Sequence, residues 1–369
     1  MNSGTWVEID LNNIKNNLNK LKDGLKPSTK VCCVVKADAY GHGAVEVSKK
    51  LIEENIDYLA VARLEEAIDL RKNNIETPIL CLGYICKDDL KIAIENNITM
   101  TVYTSDVAQY IDALSKELNI KAKIHIKVDT GMSRLGFIPN DESIEEIKDI
   151  CNLNNLIVEG IYTHFAVADE TDKNETFTQV SKFKKVVDAL ESNNISIPIK
   201  HVSNTAGTID LKELGFNMVR IGIGLYGCYP SNEVSTDSNI TPALTLKTRI
   251  TGIKKLEKGS KIGYGYTYKC SEDIKVVTLS IGYADGFYRS QKEPKVIVNG
   301  VLCDVVGRIC MDQCMVRIPE NLDVNVEDEV IVIGNYSGVT PEEVAFRANT
   351  INYELLCSIS KRVERKYLR

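Results

Sequence analysis

Two rhythms of apolar positions run through the first two-thirds of the chain. Short apolar runs begin near Val31, Tyr58, Pro78, Thr99, Lys121, Leu156, Ile197 and Asn217, as expected of strands. Between most of them the apolar residues recur at three and four positions. That spacing predicts helices over Ala44–Asn55, Leu64–Asn74, Ser105–Asn119 and Glu175–Asn194. An amphipathic helix with Leu11, Ile14, Leu18 and Leu21 on one face precedes the first strand. Eight strands separated by helices predict an α/β fold, a (β/α)8 barrel over residues 11–240, with a doubly wound sheet as the alternative. From about Thr241 the rhythm shortens to glycine-punctuated strand patterns at Lys247–Lys254, Lys275–Ile281, Lys295–Val298 and Glu329–Val332. Residues 241–369 therefore read as a mostly β domain, to which residues 1–10, Trp6–Ile9 especially, can add a strand.

Composition narrows the function classes. With 44% hydrophobic and 26% charged residues the chain is an ordinary globular protein. A net charge of −6 without a basic cluster disfavours nucleic acid as a partner. No apolar run reaches the ~18 residues needed to cross a bilayer, and Met1–Asp10 lacks a signal-peptide pattern. Eleven cysteines, several inside apolar runs, fit free cytoplasmic thiols better than a disulfide framework. Only four histidines and no paired ligand motif leave no expected metal site; Cys310 and Cys314 come nearest to one.

In such barrels chemistry gathers at the C-terminal strand ends. Those ends carry Lys36, Arg134, His164, Asn204-Thr205, and Arg220 with Gly222. Gly222–Gly227 matches a dinucleotide-binding glycine pattern but lacks the acidic residue that should follow it, so the glycines read as a phosphate cradle or a tight turn. A lysine in an apolar pocket near other cations can act as a neutral nucleophile. Opposite a phosphate site, it points to pyridoxal 5'-phosphate.

The motifs VVKADAYGHG (Val34–Gly43), KVDTGMSRLGF (Lys127–Phe137), THF (Thr163–Phe165) and NMVRIGI (Asn217–Ile223) make the chain resemble the alanine racemase family. The resemblance continues through GYGYTY (Gly263–Tyr268), IGYADG (Ile281–Gly286), VGRICMDQ (Val306–Gln313) and TINYE (Thr350–Glu354). It implies racemisation of alanine, supplying D-alanine for peptidoglycan, by a homodimer with shared active sites. Lys36 would carry the cofactor and act as one base, while Tyr264 of the other subunit acts on the opposite face. Arg220 would face the pyridine nitrogen, with His164 packing on the ring and orienting Arg220. Tyr40, Asn204, Thr205, Gly222, Ile223 and Tyr353 are expected around the cofactor, chiefly its phosphate. Arg134 and the Met311 backbone would hold the substrate carboxylate, supported by Lys127, Tyr283 and Asp312. Lys127 matches a lysine that is carbamylated in some relatives. Two departures from the family pattern are Thr205 for serine and Ser133 for glycine. A serine or broad-specificity racemase is the nearest alternative. A decarboxylase of the same architecture would place an acid opposite the pyridine nitrogen, and a non-catalytic carrier barrel would lack the β domain.

Overall fold

The computed structural model describes residues 4–214 and 216–369; residues 1–3, the start of the expected N-terminal strand, lie outside the described residues. Strand β1 (Thr5–Asp10) runs directly into helix α1 (Leu11–Lys22). The Asp10 carboxylate accepts the N–H groups of Asn12 and Asn13, two of the donors a helix start leaves unpaired. Eight barrel strands follow: β2 (Lys30–Val34), β3 (Tyr58–Val61), β4 (Ile79–Cys81), β5 (Ile98–Val102), β6 (Ala122–Lys127), β7 (Leu156–Tyr162), β8 (Ile199–His201) and β9 (Met218–Ile221). They pair in parallel in chain order from β2 to β8, and β9 pairs with β2. The circle closes where Asn217 N–H donates to Lys200 O (3.2 Å) and Arg220 N–H donates to Ser203 O (3.0 Å). A closed parallel barrel excludes the doubly wound alternative.

All eight predicted barrel strands are present, because each is a short buried run with turn residues at its ends. The four predicted helices form as Ala44–Ile52, Leu64–Lys72, Ser105–Leu118 and Asn174–Ser192. Each was predicted to end on an asparagine, and Asn55, Asn74, Asn119 and Asn194 all take left-handed φ, between 53° and 61°. Asparagine tolerates that conformation and stops a helix there.

The rest of the chain builds a mostly antiparallel sheet from β10 (Leu244–Leu256), β13 (Ile274–Leu279), β14 (Lys295–Val298), β15 (Val301–Val306), β16 (Cys314–Ile318), β17 (Glu329–Ile333) and β18 (Glu364–Leu368). A separate two-stranded ribbon, β11 (Lys261–Ile262) and β12 (Tyr268–Lys269), projects from it. The expected N-terminal strand is β1, which lies between β10 and β18 in this sheet. β18 also fastens the sheet to the barrel: Arg365 Nε donates to the carbonyl of Gly41, just beyond Lys36. Two short helices, Pro341–Arg347 and Asn352–Cys357, precede β18, and the second reaches the barrel mouth.

Candidate active site

β2 is buried along Val31–Val34, and Lys36 follows within two residues. The next turn differs from the ordinary helical turn that the spacing of Lys36 and Tyr40 suggests. Ala37, Asp38, Ala39 and Tyr40 all have φ between 52° and 54°, so the turn is left-handed. Left-handed backbone costs about 1–2 kcal/mol per residue with a Cβ, so tertiary contacts must hold it. Glu66 supplies one: its Oε1 accepts Ala37 N–H (2.6 Å) while Oε2 accepts Ala62 N–H (2.8 Å) and Arg63 N–H (3.1 Å). Gly41 supplies another, since a Cβ there would stand 2.4 Å from Leu356 O. His42 lies fully buried beneath the turn, donating from Nδ1 to Tyr40 O (3.0 Å) and packing on the Tyr226 ring. Burial pushes its pKa down to about 4, so it is a neutral structural imidazole.

A cavity of about 670 Å³ opens at the C-terminal ends of the barrel strands. Lys36, Tyr40, Lys127, Arg134, His164, Asn204, Thr205, Arg220, Gly222, Ile223 and Tyr353 all line it. Four of these are lysines or arginines, and Glu354 is the one carboxylate among the described lining residues, which suits a ligand carrying several negative charges. Burial, then Arg134, lowers the pKa of Lys36, with Cys357 and Glu66 opposing.

Arg220 is the most tightly held of the cations. It is 3% exposed, and Nη1 donates to His201 Nδ1 at 2.8 Å. Nη2 reaches the carbonyls of Thr163 (2.9 Å) and Val202 (3.1 Å) and His164 Nδ1 (3.2 Å). The guanidinium also lies 5.2 Å over the Tyr162 ring. Burial and the surrounding cations hold the His164 pKa well below its ordinary value, so that ring is neutral and can accept from Arg220.

Lys127 ends β6 with its Nζ buried, 3.1 Å from Val128 O and 5.0 Å over the Tyr162 ring. Burial and then Arg220 push its pKa down to about 7. The loop after it is folded around one carboxylate. Asp129 accepts the N–H groups of Gly131, Ser133 and Arg134, each at 3.0 Å, which aims Arg134 at the cavity. Ser133 has φ 56°, a left-handed position that explains why glycine is the pattern residue there.

Across the mouth, Gly222 N–H donates to Thr205 Oγ1 at 2.9 Å, leaving the hydroxyl proton free to point elsewhere. Tyr40 and Tyr353 stand side by side with ring centroids 6.1 Å apart, and burial raises both phenol pKa values, so both are neutral donors. A Cβ at Gly222 would come within 2.8 Å of Tyr40 Oη. Asn204 caps the following turn by accepting Gly207 N–H at 3.0 Å. The Gly222–Gly227 stretch is thus a cavity wall running into a turn rather than a dinucleotide site.

Four predicted residues do not join this cavity. Tyr264, Tyr283 and Met311 are 65%, 42% and 54% exposed on the β domain, and Asp312 is exposed and ion-paired with Arg362 (2.8 Å). They gather around the segment 307–313: Tyr283 N–H donates to Cys310 O, Ala284 N–H donates to Met311 O, and Gly263 abuts Arg308. Conversely, the motifs did not single out Tyr162, which also lines the cavity, or Glu66, Asp129, His125 and His201, which sit one layer behind it. The Asp at the start of DTGMSR was a usable loop-cap signal; a histidine inside a buried strand gives none.

Family models for the alanine racemase N-terminal and C-terminal domains match residues 9–230 and 243–367. An alanine racemase of Methanococcus maripaludis is 49% identical over 98% of both chains. The solved alanine racemase of Clostridium difficile 630 superposes with a TM-score of 0.97 at 50% identity, covering 100% of this chain and 96% of that one. An alanine racemase from Bacillus anthracis, solved with bound L-Ala-P, gives a TM-score of 0.93 at 35% identity, over 100% of this chain and 96% of that one. With both domain models in order and near-complete coverage on each side, the chain belongs to the alanine racemase family.

Proposed function

We propose that the chain interconverts L-alanine and D-alanine, using pyridoxal 5'-phosphate bound covalently through Lys36. The observation that carries this reading is one cavity holding a lysine amine, a set of phosphate-sized donors and a buried arginine. The residues present fit the cofactor. Arg220 Nε has no hydrogen-bond partner among the described residues, so an N–H remains for a ring nitrogen. Tyr40, Tyr353, the Thr205 hydroxyl and the backbone at Gly222–Ile223 suit the phosphate. When bound, pyridoxal phosphate delocalises the electron pair left on the α-carbon as its proton departs.

Lys36, with its pKa lowered, supplies the neutral amine that bonds the cofactor and then takes or returns the α-proton on one face. One group returns a proton only to the face it came from, so inversion needs a second. Tyr264 fills that role from the partner subunit of a homodimer. Its exposure, and the company of Tyr283, Met311 and Asp312 around one segment, support a shared site. Arg220 donates and cannot accept, so it offers the ring nitrogen no proton to keep. That weakens the electron sink and limits side reactions, whereas a carboxylate there would favour decarboxylase-like chemistry. Arg134 and the Met311 N–H hold the substrate carboxylate. Lys127, carbamylated, would turn a cation into an anion that orients Arg134.

Residues 11–240 form the cofactor-binding unit and 241–369, with 1–10, the unit that serves the partner's site. The enzyme acts in the cytoplasm and supplies D-alanine for a cell wall; no helix among the described residues is long and apolar enough to cross a membrane. The test is incorporation of solvent deuterium into L-alanine and L-serine with the enantiomers resolved. Alanine should exchange much faster, with label appearing in both enantiomers. Equal rates would replace the alanine reading with the serine or broad-specificity one.

A further inference from the structure

Behind Arg220 lies a second layer that the cavity does not expose. His201 Nδ1 receives the Arg220 Nη1 proton at 2.8 Å, and His201 Nε2 stands 2.9 Å from His125 Nδ1. Both imidazoles are fully buried, on β6 and β8, the two strands that flank β7. Arginine can only donate, and that fact fixes the direction of the chain. His201 Nδ1 must accept, so its proton is on Nε2; it donates to His125 Nδ1, which leaves the His125 proton on Nε2.

We infer that His201 and His125 form a neutral relay of two imidazoles, each protonated at Nε2, that positions Arg220 against the cofactor's ring nitrogen. The part about the cofactor rests on the proposed function; the relay itself does not. Three features show that the barrel is built around it. β7 carries one extra residue at this level: Ile124 pairs with Val158, but His125 pairs with Gly160. Gly160 leaves room for the ring, since a Cβ there would stand 2.6 Å from His125 Nδ1. Tyr162 stacks flat on His201, with centroids 4.6 Å apart and planes 8° from parallel. His125 Nε2 has no partner among the described residues. A leucine would fill that space without burying an unpaired donor, so the imidazole is kept for the bond its Nδ1 makes.

The surroundings favour neutrality. The pair faces Tyr58 from β3, Tyr162 from β7, and the cations Arg220 and Lys127, while the Glu159 carboxylate is taken up by Tyr58, Thr99 and Lys123. Burial, then Arg220, pushes the His125 pKa down to about 3, and the same causes hold His201 well below its ordinary value.

The test begins with 15N-histidine spectra of the full chain with its cofactor. Only four imidazoles are present, so His125→Asn and His201→Asn suffice to assign them. Both rings should be neutral with the proton on Nε2 between about pH 6 and 9. A proton on Nδ1 of either ring, or an imidazolium in that range, overturns the relay. The second arm compares His125→Leu with His125→Asn, whose Oδ1 can stand where Nδ1 stood and accept from His201. His125→Leu should lower kcat about tenfold, move KM far less, and shift the visible absorbance of the bound cofactor, while His125→Asn recovers most of both. A folded His125→Leu protein with unchanged kcat and absorbance overturns the positioning role. If His125→Leu does not fold, the wild-type spectra and His125→Asn still decide. If the wild type neither binds pyridoxal phosphate nor racemises, the proposed function falls and the tautomer result stands alone.

Discussion

Replacing Lys127 with methionine removes a buried ammonium while keeping the length of the side chain. Lys127 is 6% exposed, and burial, then Arg220, lowers its pKa from 10.5 to about 7, with Asp129 only partly opposing and Arg134 adding to the shift. Its unfolded pKa is the higher one, so between these two values the unfolded chain holds a proton that the folded protein has lost. Stability must therefore rise with pH through that window, and the penalty is complete below pH 7. At about 1.4 kcal/mol for each pH unit between the two pKa values, the full penalty is on the order of 5 kcal/mol, falling by about 2 kcal/mol from pH 7 to pH 9. Lys127→Met should stabilise the cofactor-free protein by several kcal/mol at pH 7 and lose this part of the pH dependence. Denaturant unfolding at the two pH values, in buffer free of carbon dioxide, measures both effects. Parallel pH dependence in wild type and variant would refute the reasoning. Bicarbonate extends the test, because a neutral amine adds carbon dioxide and releases a proton to give an anionic carbamate. 13C-bicarbonate should label the wild type at Lys127 and leave the variant unlabelled.

Two further outcomes follow from the site. Lys36→Ala should abolish covalent retention of pyridoxal phosphate, seen as loss of its visible absorbance after gel filtration; retention of the band would move the anchor elsewhere. Thr205→Val strands Gly222 N–H, whose only partner among the described residues is the Thr205 hydroxyl at 2.9 Å, and removes the proposed phosphate donor. A loss of about 1–3 kcal/mol should weaken cofactor binding by about fivefold or more in a fluorescence titration, and an unchanged Kd would contradict that role.

The barrel was legible because each of its strands is a short apolar run bounded by turn residues, and because asparagines close the helices between them. Strands β15, β16 and β18 were not singled out: Asp304 and Arg317 interrupt the first two, and β18, Glu364–Leu368, carries mostly charged side chains. Strand-end position brought Lys36, Arg134, His164, Asn204, Thr205, Arg220 and Gly222 to one cavity, since strand ends converge whatever lies between them; Tyr40, Lys127, Ile223 and Tyr353, which line it too, were implied only by the family resemblance. The left-handed turn after Lys36 was not legible. Ala-Asp-Ala-Tyr reads as an ordinary helix start, and the contacts that reverse its hand come from Glu66 and Leu356, far along the chain. His125 and His201 were hidden for a related reason. Inside apolar strands they resemble core residues, and only the closed barrel sets one against the other behind Arg220.

The central claim is that Lys36 of one subunit and Tyr264 of the other complete each alanine-racemising site. Mixing the Lys36→Ala and Tyr264→Phe proteins, after unfolding and refolding together, tests it directly. Each variant alone should be nearly inactive, with Tyr264→Phe keeping the cofactor absorbance but failing to remove the proton of L-alanine. A heterodimer contains one site with both groups intact, so the mixture should recover about a quarter of wild-type racemase activity. No recovery in a mixture shown to contain heterodimers would contradict the shared site, and wild-type activity in Tyr264→Phe alone would contradict the two-base assignment.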